Sequence, residues 1–263
     1  MKIVRYQKNG KVFYGKFENE QIFPIEGDVF GDFKLITKPI KREEVKLLAP
    51  VNPPDIIAIG LNYRKHAEEG GFSFPKKPVI FLKTTSSVIG PEEKIIVPQM
   101  APDEVDYEAE LSIVIGKKAK NIEIEEAGDY IFGYTCSNDV SARDCQLRLD
   151  QQWARGKSFD TFFPLGPWIE TELAEPDHCR IMSRLNGKIM QDSNTSDLIF
   201  STKELLSYCS KNFTLYPGTV IMTGTPEGVG FTRKPPVFLK PGDTIEIEIE
   251  GIGKLINLVS REV

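Results

Sequence analysis

Short runs of β-forming residues alternate with turn residues at the start of the chain. Asn9-Gly10 separates the first two runs, and Glu18-Asn19-Glu20 separates the second run from the third. This pattern is typical of a small β meander. A proline cluster begins at Pro50, and because proline interrupts regular elements, we place a domain boundary there. The predicted strands are Lys2 to Tyr6, Val12 to Phe17 and Gln21 to Phe23, and the predicted domains are residues 1–50 and 51–263.

Capping residues and glycines predict helices and a hairpin in the larger domain. A short helix is expected to begin at Asn62, a good N-cap, and to end at Gly70-Gly71. Ser141 followed by Asp144 is similar to a capping box, which predicts a helix over Ala142 to Trp153. Asn186-Gly187 between alternating arms predicts a β-hairpin, and Ser201 predicts a helix that runs to about Asn212.

The run from Val105 to Gly116 combines a core strand with two acids. Glu108 and Glu110 share a face with Ser112, where repulsion between adjacent carboxylates raises one pKa unless a cation lies between them. Two interpretations stay open, a half-solvated sheet face or a site for a divalent metal. The opposite, apolar face consists of Tyr107, Ala109, Leu111, Ile113 and Ile115.

Composition and charge narrow the class of protein. The 263 residues are 40% hydrophobic and 27% charged, which is ordinary for a globular protein, and the net charge of −5 gives no basic surface for nucleic acid. No apolar run approaches the roughly 20 residues that span a bilayer, and the first residues lack a signal-peptide pattern. We therefore expect a cytoplasmic protein with no membrane partner. The four cysteines form no CxxC pair, and the GxSxG signature of serine hydrolases is missing from the sequence.

Several polar residues are candidates for a reactive site, each with a structural alternative. His66 and Glu69 lie three residues apart on the first predicted helix, where the carboxylate can orient the imidazole or form a routine surface ion pair. Asp139 precedes another predicted helix and can stabilise its dipole or bind a metal. Lys157 lies among aromatic residues. If it is desolvated, its pKa falls and it can donate a proton or stabilise an enolate; if it is exposed, it is an ordinary surface lysine.

Two further features concern binding of a small anion. The segment Thr223 to Gly230 follows a predicted strand but has neither phosphate-loop nor dinucleotide-binding spacing. Its backbone amides and the Thr225 hydroxyl can still hold a small anion. Arg143 and Gln146 share a face of the helix predicted over Ala142 to Trp153.

Seven motifs in a fixed order carry a specific resemblance. They are GLNYRKHAEE, KPVIFLKTTSS, DYEAELSIVIGK, SNDVSARDCQ, RGKSFDTFFPLGPWI, LNGKIMQDSNTSDLIF and MTGTPEGVG. With these motifs, the chain from about Asp55 to Ser260 resembles the fumarylacetoacetate hydrolase family. The resemblance implies an α+β, mainly β fold, a mixed β-sandwich or β-roll with a few short helices. Residues 1–50 then resemble a small N-terminal extension, and residues 51–263 a catalytic, metal-binding domain.

The resemblance also implies roles for single residues. Glu108, Glu110 and Asp139 would hold Mg²⁺ or Mn²⁺, which suit oxygen ligands. His66 and Glu69 would form a pair on a mobile lid that orients water. The resemblance further assigns Lys157 a catalytic role and assigns substrate contacts to Arg143, Gln146 and Thr225.

The reaction implied by the resemblance is metal-dependent hydrolysis of a C–C bond in a 2,4-dioxo acid, such as an acylpyruvate or a fumarylpyruvate. Pyruvate would leave as an enolate on the metal. The alternatives use the same enolate without water: decarboxylation of an oxaloacetate-like acid, or isomerisation of a 2-hydroxy-dienedioate of aromatic catabolism. A non-enzymatic binding module is a further alternative. The resemblance also leads us to expect a homodimer. The expected binding partner is a small 2-oxo acid substrate.

Overall fold

The computed structural model describes residues 1–262. It confirms the predicted mainly β fold with a few short helices. The β meander at the start of the chain is also confirmed, and it is longer than predicted. Its strands are β1 (Lys2–Lys8), β2 (Lys11–Glu18), β3 (Gln21–Gly27), β4 (Phe33–Leu35), β5 (Ile40–Lys41) and β6 (Lys46–Leu48).

The rest of the chain adds fourteen strands and three α-helices within the described residues. The strands are β7 (Ile56–Gly60), β8 (Val79–Lys83), β9 (Val88–Ile89), β10 (Lys94–Val97), β11 (Val105–Asp106), β12 (Ala109–Ile115), β13 (Ile131–Asn138), β14 (Ser141–Ala142), β15 (Phe163–Glu170), β16 (Arg180–Leu185), β17 (Lys188–Asn194), β18 (Val220–Met222), β19 (Thr244–Ile249) and β20 (Gly253–Arg261). The helices are α1 (Arg64–Glu69), α2 (Ala154–Lys157) and α3 (Thr202–Asn212).

Two sheets enclose the main core. The larger sheet has the strand order β4-β3-β2-β1-β15-β13-β12-β18-β7-β8, and the smaller has the order β10-β20-β19-β16-β17. Apolar side chains of β12, such as Leu111 and Ile113, pack in one core cluster with Ile247 of the smaller sheet and Leu206 of α3. Val114 packs in a second cluster on the opposite side of the sheet. Strand β12 is therefore buried on both faces.

The N-terminal strands belong to the larger sheet. Strand β1 pairs antiparallel with β15, with Lys2 opposite Glu170 and Ile3 opposite Ile169. Ile3 is fully buried in the same cluster as Val114. The division into residues 1–50 and 51–263 stays a prediction, and the hydrogen-bonded sheet is continuous across it.

The predicted strand over Val105 to Gly116 is interrupted at its acids. Its first part, β11, pairs with β14, whereas β12 pairs with β13 and β18. Between the two parts, the Glu108 N–H donates to Asn138 Oδ1 at 2.9 Å and the Ala109 N–H donates to Gln191 Oε1 at 3.0 Å. Because side chains replace strand partners here, Glu108 lies just outside β12. Glu108 and Glu110 are buried, so the half-solvated alternative is wrong.

The predicted N-cap at Asn62 is wrong. Helix α1 begins at Arg64 with Tyr63 as its N-cap, and it ends at Glu69 with Gly70 as its C-cap, as expected. The Asn62 side chain instead donates to the carbonyls of Phe200 and Thr223, at 3.0 and 2.8 Å, and accepts from the Phe200 N–H at 2.9 Å. Asn62 therefore ties the start of α1 to two distant segments.

The helix predicted over Ala142 to Trp153 is also wrong. Ser141 and Ala142 form β14, a five-residue π-helical turn covers Cys145–Leu149, and α2 begins only at Ala154. The Ser141 hydroxyl donates to the Asp139 carbonyl at 2.8 Å and does not cap a helix. Tertiary contacts override the local helix signal here, because pairing of β14 with β11 holds the start of the segment extended.

Local signals succeed where no distant partner competes with them. Asn186 and Gly187 have φ of 52° and 79° and join β16 to β17, which confirms the predicted hairpin. Ser201 and Glu204 form the capping box of α3, which ends at Asn212 as predicted. Within residues 1–262, none of the helices is long and apolar enough to cross a membrane. Cytoplasmic location stays a prediction.

We predict that Asn62→Ala lowers the free energy of unfolding by about 2–4 kcal/mol, because it leaves the buried Thr223 carbonyl and the half-buried Phe200 backbone groups unpaired. Denaturant unfolding measures this change. Asn212→Ala is the matched control, since that side chain makes an exposed hydrogen bond to Tyr208, and we expect a change within about 0.5 kcal/mol. A loss of no more than about 1 kcal/mol for Asn62→Ala would indicate that it acts as an ordinary cap.

Candidate metal centre and active site

Three carboxylates meet where β12, β13 and the loop after β18 approach each other. Glu108, Glu110 and Asp139 each offer an oxygen, and these oxygens all lie within 4.8 Å of one another. All three residues are buried. Glu110 accepts the Gly224 N–H at 2.8 Å, and Asp139 is the first residue after β13, where its N–H donates to the Glu108 carbonyl at 2.9 Å. The structure therefore brings together the three predicted metal ligands.

Two buried lysines bind Glu108 and Asp139. Lys157 Nζ donates to Glu108 Oε2 at 2.8 Å and to Asp139 Oδ2 at 2.7 Å. Lys83 Nζ lies 2.5 Å from Asp139 Oδ1 and donates to the Phe162 carbonyl at 3.1 Å. Burial lowers the pKa of Lys157, but Asp139 and Glu108 outweigh burial and leave that pKa above its usual value. The depressed pKa considered for a desolvated Lys157 is therefore wrong, and this side chain is a stable ammonium.

The two glutamates respond oppositely to the same environment. Burial by itself raises the pKa of Glu108, but Lys157 and Arg143 outweigh it and lower that pKa to about 2. Burial, together with the charges of Asp139 and Glu108, raises the pKa of Glu110 well above its usual value. Among the described residues, Glu110 forms no salt bridge, whereas Glu108 and Asp139 each form two. Glu110 is thus the acid that most needs a further cation.

Arg143 lies at the side of the cluster with one free donor. Its Nε donates to Asp106 Oδ2 at 2.9 Å, and its Nη1 lies 2.7 Å from both Glu108 Oε1 and Gln146 Oε1. The guanidinium carbon lies 4.4 Å from the ring centroid of Phe231. Nη2 is buried and has no hydrogen-bond partner within residues 1–262. This arrangement fixes the guanidinium and leaves one N–H pair for a ligand.

The predicted pair on α1 is also brought to the site. His66 is buried and its Nδ1 lies 3.5 Å from Glu69 Oε2. Both Glu69 oxygens lie 3.2 Å from the Gly228 N–H. Burial raises the pKa of Glu69, but His66 and the Gly228 N–H outweigh burial and lower it. The anionic carboxylate can therefore orient the imidazole, while the Gly228 contact holds α1 against the loop after β18.

Thr225 lies in a chain of hydrogen bonds with Ala109 and Gln191, next to the three carboxylates. Its hydroxyl donates to the Ala109 carbonyl at 2.9 Å and accepts from Gln191 Nε2 at 2.8 Å. The proton of the hydroxyl is therefore engaged, and the oxygen has a lone pair left for a donor. Gln191 was not predicted from sequence. It bonds both to the Thr225 hydroxyl and to the Ala109 N–H at the start of β12.

These groups line one small cavity of about 60 Å³. All nine predicted site residues except Glu69 line it, and Glu69 reaches it through His66. The lining residues are Ile59, Gly60, Leu61, His66, Phe72, Phe81, Glu108, Glu110, Asp139, Arg143, Gln146, Leu147, Trp153, Lys157, Thr225 and Phe231. The roles assigned to the predicted residues stay predictions.

Sequence reasoning missed two buried ionic residues. Asp106 is fully buried and accepts from Arg143 and from the N–H groups of Gly230 and Phe231, at 2.8 and 3.0 Å. A Cβ on Gly230 would collide with Asp106 and with the Val237 carbonyl. Asp106 shares the alternation of Glu108 and Glu110, and Lys83 alternates with the cavity residue Phe81. These two patterns were the available signals.

The three acids suit a divalent metal by their chemistry. Their donors are all oxygen atoms, which Mg²⁺ and Mn²⁺ prefer. Each oxygen of Glu108 and Asp139 that binds a lysine or Arg143 keeps a second lone pair for a metal. A divalent cation would also relieve the repulsion that raises the pKa of Glu110. The residues present therefore fit such an ion, and its identity stays a prediction.

The family model described as fumarylacetoacetate (FAA) hydrolase C-terminal matches residues 55–260. The chain belongs to the fumarylacetoacetate hydrolase family. It is an enzyme of this family, which confirms the resemblance in its sequence motifs. A second family model, described as Rv2993c-like, N-terminal, matches residues 1–50.

Similar proteins in the family have names from two related reactions. A relative from Rattus norvegicus, "Oxaloacetate tautomerase Fahd2a, mitochondrial", is 49% identical over 223 residues, which cover 84% of this chain and 71% of the relative. A solved structure of 5-carboxymethyl-2-hydroxymuconate delta-isomerase from Mycobacterium smegmatis is 41% identical, with a TM-score of 0.90 and full coverage of both chains. A 2-hydroxyhepta-2,4-diene-1,7-dioate isomerase structure from Mycobacterium marinum is 37% identical, with a TM-score of 0.89 and coverage of 100% and 99%.

We predict that Glu110→Gln and Asp139→Asn affect the metal-free enzyme differently. Glu110→Gln should change the free energy of unfolding by no more than about 1 kcal/mol, because burial, Asp139 and Glu108 disfavour the charged form of this carboxyl and no salt bridge is lost. Asp139→Asn should cost about 3–5 kcal/mol, because it leaves the ammonium groups of Lys83 and Lys157 short of a buried partner. Denaturant unfolding in chelator measures both, and equal losses would contradict this charge distribution.

Proposed function

We propose that the protein is a divalent-metal-dependent tautomerase of small 2-oxo acids of the oxaloacetate class, which moves a proton between the 2-oxygen and C3. The observation that carries the proposal is the His66–Glu69 pair at a cavity that is also lined by three clustered acids and by Arg143 with its free donor. The name of the rat relative supports the same reaction.

Arg143 is the residue that binds the substrate carboxylate. Its guanidinium is held on two sides by Asp106 and Glu108, so its free Nη2 points in a fixed direction. A carboxylate at Nη2 forms a charge-assisted hydrogen bond without reorganisation of the side chain. Gln146 adds a second polar contact beside it, since its amide is already fixed by Arg143.

His66 is the residue that moves the proton. Because its Nδ1 faces the Glu69 carboxylate, Nε2 is the ring nitrogen that exchanges a proton with the substrate. Glu69 Oε2 lies 3.5 Å from Nδ1, which has no other partner within residues 1–262, so a small movement of either side chain lets the carboxylate accept the Nδ1 proton. A proton taken at Nε2 from C3 can return to the 2-oxygen, or the reverse, without leaving the cavity.

Lys157 acts as a fixed positive charge. Its raised pKa keeps it an ammonium, which stabilises the negative charge that develops on the substrate oxygen in an enolate. A divalent ion held by Glu108, Glu110 and Asp139 supplies Lewis-acid polarisation of the substrate when it is bound. The buried setting of Lys157 strengthens its effect by excluding water.

Hydrolytic cleavage of a C–C bond in an acylpyruvate is the second candidate, and the same His66–Glu69 pair favours it. An imidazole held by a carboxylate can orient water as well as a substrate proton. Decarboxylation of oxaloacetate and isomerisation of a dienedioate share the need for a stabilised enolate. The dienedioate reaction is supported by the names of the two similar structures. The homodimer stays a prediction.

We predict that His66→Ala lowers the rate of enol-oxaloacetate tautomerisation by about 10²–10⁴-fold, because it removes the group that moves the proton. Loss of the enol absorbance in the presence of Mg²⁺ measures the rate. His178→Ala is the matched control, because His178 is the other histidine of the chain and is exposed, so we expect full activity.

Product analysis separates the candidates. Pyruvate and acetate formed from acetylpyruvate would support hydrolysis, and carbon dioxide formed from oxaloacetate would support decarboxylation. The tautomerase assignment is contradicted if wild-type enzyme leaves the enol–keto rate unchanged, or if His66→Ala retains more than about a third of it.

A further inference from the structure

The side chain of Gln191 makes four hydrogen bonds in the interior, and the proposed chemistry uses none of them. Gln191 lies on β17 of the smaller sheet and is 1% exposed. Its Oε1 accepts from the Ala109 N–H at 3.0 Å and from the Ser183 hydroxyl at 2.9 Å. Its Nε2 donates to Thr225 Oγ1 at 2.8 Å and to the Pro226 carbonyl at 2.9 Å. Because the amide has two donors and two acceptor positions, all of them are filled and its orientation is fixed.

A β-bulge turns Gln191 toward the larger sheet. In the pairing of β16 with β17, Ser183 lies opposite Gln191. The next pair is Arg184 and Ile189, which leaves Met190 without a partner. This extra residue interrupts the alternation of the strand, so the consecutive residues Met190 and Gln191 are both buried. A regular strand would direct one of these two side chains to the opposite face.

Gln191 and Thr225 hold the backbone between the two glutamates of the metal centre. The Ala109 N–H, which donates to Gln191, belongs to the peptide that follows Glu108. The Ala109 carbonyl belongs to the peptide that precedes Glu110, and it accepts from the Thr225 hydroxyl at 2.9 Å. Since Thr225 in turn accepts from Gln191, these three residues form a closed ring of hydrogen bonds.

Strand pairing does not hold these peptides on the side of β18. Within residues 1–262, β18 pairs with β12 only at Ser112, Ile113 and Val114. If the ring opened, the buried N–H and carbonyl of Ala109 would lose their partners there, and the peptides would rotate to find others. Rotation of a peptide changes the direction of the side chain next to it. The directions of Glu108 and Glu110 therefore depend on the ring.

We infer that Gln191 is a positioning residue for the metal centre. By fixing the two peptides beside Ala109, it sets the separation of the Glu108 and Glu110 carboxylates at which they hold a divalent ion together with Asp139. Gln191 does not line the cavity and acts only through its hydrogen-bond partners. This inference rests on the proposed function, because it requires these acids to bind a metal.

Titration of the full-length enzyme with Mn²⁺ tests the inference without turnover. The electron paramagnetic resonance signal of the free ion measures the affinity. Gln191→Met keeps a side chain of similar length and removes all four hydrogen bonds. Affinity for Mn²⁺ should fall by about 10–100-fold, as expected on loss of a residue that orients metal ligands. A change smaller than about threefold, in a variant that circular dichroism shows to be folded, overturns the inference.

Ser183→Ala is the matched control. Its hydroxyl bonds to the same Oε1 of Gln191 but is not part of the ring with Ala109 and Thr225. Affinity for Mn²⁺ should stay within about threefold of the wild-type value. An equal fall in Ser183→Ala and Gln191→Met would show that a loosened β16–β17 pair is the cause, and it would contradict the assignment.

Gln191→Asn provides the test if Gln191→Met does not fold. The asparagine amide is one methylene shorter, so it cannot bond to Ala109 and Thr225 at the same time. Affinity for Mn²⁺ should again fall by more than about threefold. A smaller change in this variant overturns the inference.

Failure of this inference is distinguishable from failure of the proposed function. Enol-oxaloacetate tautomerisation is measured in a separate assay on the same preparations. If the wild type binds Mn²⁺ and is active, and the Gln191 variants bind Mn²⁺ equally well, only the inference is overturned. If the variants lose affinity but the wild type has no tautomerase activity, the inference holds and the proposed reaction is wrong. A wild-type enzyme that does not bind Mn²⁺ overturns both.

Discussion

Lys157, the last residue of α2, donates to Glu108 and Asp139, and the rest of the site is arranged around these two bonds. Four acids and three cations are buried here together, and every one of them except Glu110 forms at least one salt bridge within the cluster. Lys83 holds the free side of Asp139, and Arg143 holds the free side of Glu108. Glu110 is the remaining acid, and burial together with the charges of Asp139 and Glu108 raises its pKa. A divalent ion would complete this balance and leave the cavity with a net positive charge suited to an anionic substrate.

The fold keeps these charges in place by surrounding them with rigid elements. Strand β12 lies between β13 and β18 and is covered by core on both faces, so the backbone that carries Glu110 has little freedom. Asp106 links Arg143 to the loop after β18 through the N–H groups of Gly230 and Phe231. The same loop reaches Glu69 on α1 through Gly228. One loop therefore positions both the group that binds the carboxylate and the pair that moves the proton.

Sequence patterns predicted much of this arrangement, and the failures have a common physical cause. The hairpin at Asn186-Gly187 and the cap at Ser201 depend on local backbone preferences, and both are confirmed. The helix expected after Ser141 and the cap expected at Asn62 fail because strand pairing and distant carbonyls compete for these residues. Asp106 and Lys83 were missed because their partners lie far away in sequence. The three clustered acids were found because alternation and family motifs pointed to the same residues.

The most direct test of the metal centre is anomalous diffraction from crystals of the enzyme soaked in Mn²⁺. We expect one anomalous peak per chain, at the point enclosed by the carboxylates of Glu108, Glu110 and Asp139. Glu110→Ala should lose this peak while the sheet around it stays unchanged. A peak elsewhere in the chain with none between these three carboxylates, under conditions in which Mn²⁺ supports activity, would contradict the account.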